Sequence, residues 1–231
     1  MDSLQPNYRA LIIGSSGAIG TAFASALRQD PNCLEVVEFN RSSSAGFELT
    51  NELSIEQSFV HFKDEGSFSL IIDATGALTI NGKGPEKSLQ AVMGATFNES
   101  LWINCIGPTL VLKNLVPTLS KKRCIYAKLS ARVGSITDNK LGGWYSYRAS
   151  KAAFNMVLQT TAIECHRKNP EAIFVALQPG TVDSKLSAPF VDASKTLTAE
   201  ESVIQMLAQI DKLLPIHGAH FIDYKGEAIA W

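Results

Sequence analysis

The chain has 231 residues, 45% of them hydrophobic and 19% charged, a balance that suits one sizeable core in a single domain and excludes a disordered chain. Its 21 lysines and arginines against 22 acids leave a formal net charge of −1, and the cations are spread rather than blocked, so charge gives no footprint for nucleic acid. The longest apolar runs, such as Ala10 to Ile13, are strand-sized, so no membrane span is expected.

Taken in chain order, Tyr8 to Ile13 reads as a buried strand and Ala18 to Gln29 as a helix. Leu34 to Phe39 is a second strand, and Ser54 to Lys63 a helix opened by a Ser54 cap. Ser69 to Asp73 is a third strand. A long helix is expected over Phe97 to Leu119, with Pro108 and Pro117 bending it or ending it early. Cys124 to Leu129 is the next strand. From Tyr145 to about Lys168, the apolar positions Phe154, Val157, Leu158 and Ala162 recur at helical spacing. Glu171 to Leu177 follows as a strand, then a loop with Pro189, a helix from Ala199 to Leu213, a last strand near Ala219 to Asp223 and a turn at Lys225-Gly226. Strands that alternate with helices from end to end are the pattern of βαβ units. The expected fold class is therefore α/β: a Rossmann-type doubly wound parallel sheet with helices on both faces, in three layers.

Cys33, Cys105, Cys124 and Cys165 form no CxxC pair, and the four histidines show no ligand spacing, so neither a disulfide framework nor a metal is expected. The N-terminus lacks a basic stretch followed by an apolar region and a cleavage site, so the expected location is cytoplasmic. Small molecules are the expected partners, with neither nucleic acid nor membrane.

Two local patterns carry chemistry. Gly14-Ser15-Ser16-Gly17-Ala18-Ile19-Gly20 joins the first strand to the first helix, where a dinucleotide pyrophosphate meets the N–H groups of a helix N-terminus. Glycine lets the chain turn sharply and lets backbone approach phosphate, and Gly20 allows close helix–sheet packing. After the second strand the chain reads Asn40-Arg41-Ser42, where the residues that recognise the adenosine ribose lie. An arginine there pairs with a 2′-phosphate, so NADP (NADPH) is favoured over NAD, with Glu38 the acid that would argue otherwise. The second pattern is Tyr147-Arg148-Ala149-Ser150-Lys151, which sets a phenol and an ammonium one helical turn apart on the same face. A lysine cation beside a tyrosine lowers the phenol's pKa toward working pH and makes it a competent proton donor and acceptor.

With a glycine-rich first turn and YxxxK together, the chain resembles the short-chain dehydrogenase/reductase family. The likeness runs from Gly14 through Asp73-Ala74-Thr75-Gly76, Asn104, Ser130, Tyr147 and Lys151 to Pro179-Gly180-Thr181-Val182. The stretches from Ser130 to Ser135 and from Gly142 to Tyr147 look like the carbonyl-reductase branch that includes C-factor and sniffer-type proteins. The resemblance implies that Tyr147 protonates a carbonyl oxygen as hydride arrives from the nicotinamide, and that Lys151 binds the ribose hydroxyls. It implies that Asn104 holds a water linking Lys151 to solvent, that Thr75 and Gly76 line the cofactor, and that Pro179, Gly180, Val182 and Ser184 hold the nicotinamide. It further implies a lid over Lys185 to Lys195, and a homodimer or homotetramer paired through the two long helices.

The departures from that pattern matter as well. The family's substrate-orienting serine position is occupied by Ala131, leaving Ser130 and Ser135 as candidates, with Ser130 preferred. Ile13 replaces a usual threonine, Asp73 and Ala74 stand where two asparagines are common, and Glu48 stands in place of the adenine-binding aspartate. The first functional reading is an NADPH-dependent reductase of ketones, aldehydes or quinones. A cofactor-binding signalling or scaffold protein with weak or lost turnover is the alternative.

Overall fold

The computed structural model describes residues 1–42, 46–64, 66–184 and 196–231. Six strands, β1 (Tyr8–Ile13), β2 (Cys33–Phe39), β3 (Leu70–Asp73), β4 (Cys124–Leu129), β5 (Ala172–Gln178) and β6 (Ala219–Asp223), form one sheet in the order β2-β1-β3-β4-β5-β6. Every neighbouring pair is parallel. The direction of winding reverses between β1 and β3, so a crevice opens beyond the carboxyl ends of these two strands.

Strand alternation builds a core on each face. Leu11, Ile13, Ile71, Tyr126 and Phe174 point to the face covered by α2 (Glu52–Phe59), α4 (Gly107–Leu115) and α5 (Tyr145–His166). Ala10, Ile12, Ile72, Ile125 and Ile173 point to the other face, where α1 (Ala18–Arg28) contributes Phe23 and α6 (Ala199–Ile210) contributes Val203 and Met206. Strands buried on both sides explain why they read as near-continuous apolar runs. The expected three-layer doubly wound arrangement is the one observed. No helix among the described residues is long and apolar enough to cross a membrane.

The structure corrects two helical expectations. Asn51, rather than Ser54, caps α2: its side chain accepts from the Ser54 N–H. The Ser54 hydroxyl instead bridges the preceding loop, donating to Gly46 O and accepting from Glu48 N. The long helix ends early at Pro117, as expected, but it starts before Phe97 and is interrupted ahead of Pro108. It begins at Gly94 as α3 (Gly94–Leu101), opens into a π-helical turn over Trp102–Ile106, and resumes as α4. Pro108 sits in the first turn of α4, where its missing N–H costs little, and Pro117 lies in the 3₁₀ turn that closes the helix. The π turn carries Asn104, buried at its centre; such insertions recur at functional sites.

Candidate active site

Two adjoining clefts run along the carboxyl edge of the sheet. One, of about 550 Å³, is lined by Gly14, Asn40, Arg41, Glu48, Leu49 and neighbours; the other, of about 400 Å³, by Ala18, Ile19, Gly20, Ser130, Tyr147, Lys151, Pro179 and Ser184. Ser16, Gly17, Ala74, Thr75 and Gly76 line both, so the two form one groove floored by the turns after β1 and β3.

The turn after β1 needs its glycines for two different reasons. Gly14 has φ +80°, and a Cβ on Gly20 would lie 2.3 Å from Gly14 O, so the start of α1 packs directly on the turn. At Gly17, however, a Cβ would meet only Gly14 O at 3.5 Å, so no protein atom demands glycine there. Gly17 is the N-cap of α1 and provides no side-chain cap. The N–H groups of the first helical turn therefore face the groove, as a phosphate requires. Ser15, also expected at the cofactor, is buried instead: its Oγ accepts from Asn40 Nδ2 at 2.8 Å, while Asn40 Oδ1 accepts from Ser42 N. The pair fixes the turn that presents Arg41. Glu38 is ion-paired with Arg28 on α1, and the carboxylates that share Arg41's cleft are Glu48 and Glu99.

The loop after β3 is held by a buried ion pair. Asp73 and Lys128 stand opposite each other in the β3–β4 register, 0% and 1% exposed, with Lys128 Nζ 2.9 Å from Asp73 Oδ1. Lys128 Nζ also donates to Thr75 O and Thr75 Oγ1, while Thr75 N–H and hydroxyl donate to Asp73 Oδ1 and Tyr126 OH to Asp73 Oδ2. Burial pulls the Lys128 ammonium below its ordinary pKa, and Asp73 pulls it the other way. From the opposite side Asn104 grips the same loop: Oδ1 accepts from Ala77 N and Nδ2 donates to Ala77 O, both at 2.9 Å. Both ends of the Asn104 amide are thus engaged with one residue. Its side chain clamps the loop at Ala77. At Gly76 (φ +145°) a Cβ would lie 3.1 Å from Asn104 Oδ1 and 3.3 Å from Lys151 Nζ, so the loop passes directly against the catalytic lysine candidate.

Tyr147 and Lys151 are both buried on α5 and both line the second cleft. Lys151 Nζ donates to Leu129 O at 3.1 Å and lies 5.7 Å from the centre of the Tyr147 ring. Burial pulls Lys151 down to about 7, aided by repulsion from Lys128 and opposed by Asp73. Burial also pushes Tyr147 up to about 12. The expected lowering of the phenol by the lysine does not occur in this structure: the ammonium is itself weakened and engages a carbonyl, so desolvation of the phenol prevails.

Among the serine candidates, Ser130 lines the cleft and donates to Asn155 Oδ1 at 2.7 Å. Ser135 donates to Ala230 O and so packs against the C-terminal segment beyond β6. Ala131 adopts an extended conformation and is not among the cleft's lining residues. Beyond β5, Pro179 and Ser184 reach the cleft, whereas Val182 is buried in a bridge to Leu197, and a Cβ on Gly180 would strike the Tyr224 ring at 3.0 Å. Those two residues shape the strand exit without lining the groove. The lid expected over Lys185 to Lys195 lies outside the described residues.

One residue that sequence reasoning missed is Glu86, which is 8% exposed; its Oε2 accepts from Ser146 N and Oγ. It caps α5 just before Tyr147, in place of Trp144, whose side chain gives no cap and whose φ is +55°. No local signal marks it, because the cap comes from 60 residues away.

No family model matches the sequence. The C-signal protein of Myxococcus xanthus is 38% identical over 143 residues, which cover 61% of this chain and 80% of that protein. The chain belongs to the short-chain dehydrogenase/reductase family. Among solved structures, the NADPH-bound carbonyl reductase from chicken fatty liver matches with a TM-score of 0.84 at 21% identity, covering 99% of this chain and 96% of that one. The carbonyl reductase Sniffer of D. melanogaster matches with a TM-score of 0.82 at 19% identity, covering 98% and 100%. Both share this short-chain dehydrogenase/reductase fold along nearly its whole length.

The Asp73–Lys128 pair yields a stability prediction. Lys128→Met strands a buried carboxylate and lowers unfolding free energy by about 3–5 kcal/mol. Adding Asp73→Asn recovers most of that loss. Urea denaturation of both variants checks this; equal losses in the two would show that the charge pair is not what holds the loop.

Proposed function

We propose that the protein is an NADPH-dependent reductase of ketones, aldehydes or quinones, with Tyr147 as general acid and base, Lys151 as its partner and Ser130 as a hydrogen-bonding group. One observation carries the reading: Tyr147, Lys151 and Ser130 converge in the cleft that continues from the uncapped start of α1. Both structural neighbours are carbonyl reductases, which supports it. Arg41 in the adenosine half supports a 2′-phosphate, and Glu38, withdrawn to Arg28, does not compete.

The cofactor would be held by the N–H groups of Ala18, Ile19 and Gly20, by Arg41 and by Lys151. When bound, its nicotinamide supplies a hydride to the carbonyl carbon. Tyr147 remains protonated throughout the neutral range, because burial holds its phenol near 12, and it gives that proton to the carbonyl oxygen. Lys151 keeps N–H donors beyond the one given to Leu129 O, for the ribose hydroxyls and for reprotonation of the phenolate. With a pKa near 7 it is a far stronger acid than the phenol it resupplies. We propose further that two copies pair through the faces of α4 and α5, where Met156 is exposed. The four cysteines are free thiols, which supports the expected cytoplasmic location. A second reading, a cofactor-binding signalling protein with weak turnover, is favoured by alanine at position 131; it predicts NADPH binding without reduction.

Three outcomes test the first reading. Tyr147→Phe lowers kcat for reduction of phenanthrenequinone or benzil by about 10²–10⁴-fold while NADPH still binds; unaltered turnover contradicts the assignment. Arg41→Asp raises KM for NADPH by about 10-fold or more and narrows the preference over NADH, measured from initial rates with each cofactor. For the free enzyme, kcat/KM for NADPH falls as pH rises through about 7, because the Lys151 ammonium is lost there. A flat profile well into the alkaline range would remove Lys151 from cofactor binding.

A further inference from the structure

Tyr147, Lys151 and Asn155 follow one another at four-residue spacing and share one face of α5. Asn155 is 3% exposed, and its one side-chain hydrogen-bond partner among the described residues is Ser130, whose Oγ donates to Asn155 Oδ1 at 2.7 Å. Asn155 Nδ2 is buried without a partner among the described residues. An orphaned NH₂ beside a hydroxyl that has committed its proton is the costlier of two arrangements. A half-turn of the amide brings Nδ2 to Ser130 Oγ, satisfies a donor, and leaves only a carbonyl short of a partner, which interiors tolerate better. It also releases the Ser130 proton. Ser130 lines the same cleft as Tyr147 and Lys151.

We propose that Asn155 is a positioning residue for Ser130: its NH₂ donates to Ser130 Oγ, and this turns the hydroxyl proton toward the carbonyl oxygen that Tyr147 protonates. The proposal rests on the reductase reading. A serine anchored only by an acceptor would present lone pairs to a carbonyl oxygen and repel it. A serine that accepts from Asn155 presents its proton instead, and so supplies a second donor for the developing oxyanion although position 131 is alanine.

The test is a double-mutant cycle on NADPH-dependent reduction of phenanthrenequinone, with the NADPH Kd measured alongside. Ser130→Ala lowers kcat about 10²-fold. Asn155→Leu lowers it about 10-fold or more, and the double variant falls no further than Ser130→Ala, because Asn155 acts only through Ser130. NADPH Kd stays within about twofold throughout, since neither side chain holds the cofactor. Additive losses, or a wild-type kcat in Asn155→Leu, overturn the proposal. Should Asn155→Leu not fold, the isosteric Asn155→Asp decides, followed across a pH profile. An ionised carboxylate only accepts, so kcat falls as far as in Ser130→Ala wherever it is ionised, and a wild-type profile overturns the proposal. Absence of turnover in the unmutated protein is a separate result, which removes the reductase reading and this proposal with it.

Discussion

Lys128 carries a charge into the interior of the sheet, and the carboxyl edge is arranged around the need to neutralise it. An unpaired ammonium at that depth would cost several kcal/mol, so Asp73, its neighbour in register, and Thr75 close on it. That closure bends the chain after β3 into the loop that floors both halves of the groove. Asn104 holds the loop from the helical side, using a π turn to bring its amide to Ala77. The groove's floor is thus set by buried polar contacts that must be satisfied together.

The same pair acts on the chemistry. Lys151 stands where Lys128 repels it and Asp73 attracts it, and burial dominates both. The outcome is a lysine that titrates near neutrality beside a tyrosine that does not. Such a couple suits a reduction in which the phenol must begin protonated and be resupplied quickly. The proposed phosphate site is separate and simpler: an uncapped helix start, a sharp glycine turn and one arginine beyond β2.

Features that follow from local spacing were legible in the sequence. The alternation of apolar strands with helices gave the three layers, and the glycine turn and the Tyr147–Lys151 step lie within single segments. What escaped depends on distant chain segments. Glu86 caps α5 across 60 residues, and nothing near Tyr145 announces it. The π turn over Trp102–Ile106 was not legible, because insertion of one residue leaves no mark in composition. The Asn51 cap, by contrast, is a local signal: asparagine is a favoured N-cap and bonds the N–H three residues on, at Ser54. Lys128 and Asp73 were readable in principle, as one charge of each sign on apolar strands, but only once the register set them side by side. Burial raises the Tyr147 phenol, and that burial is set by the packed fold rather than by the four-residue spacing to Lys151.

The most direct measurement is a crystal structure of the protein with NADPH. Seating of the pyrophosphate on the N–H groups of Ala18, Ile19 and Gly20, the 2′-phosphate at Arg41 and the nicotinamide beside the Tyr147 hydroxyl is the predicted result. A dinucleotide bound elsewhere, or a Tyr147 hydroxyl turned away from the nicotinamide, would contradict the catalytic role assigned to this groove.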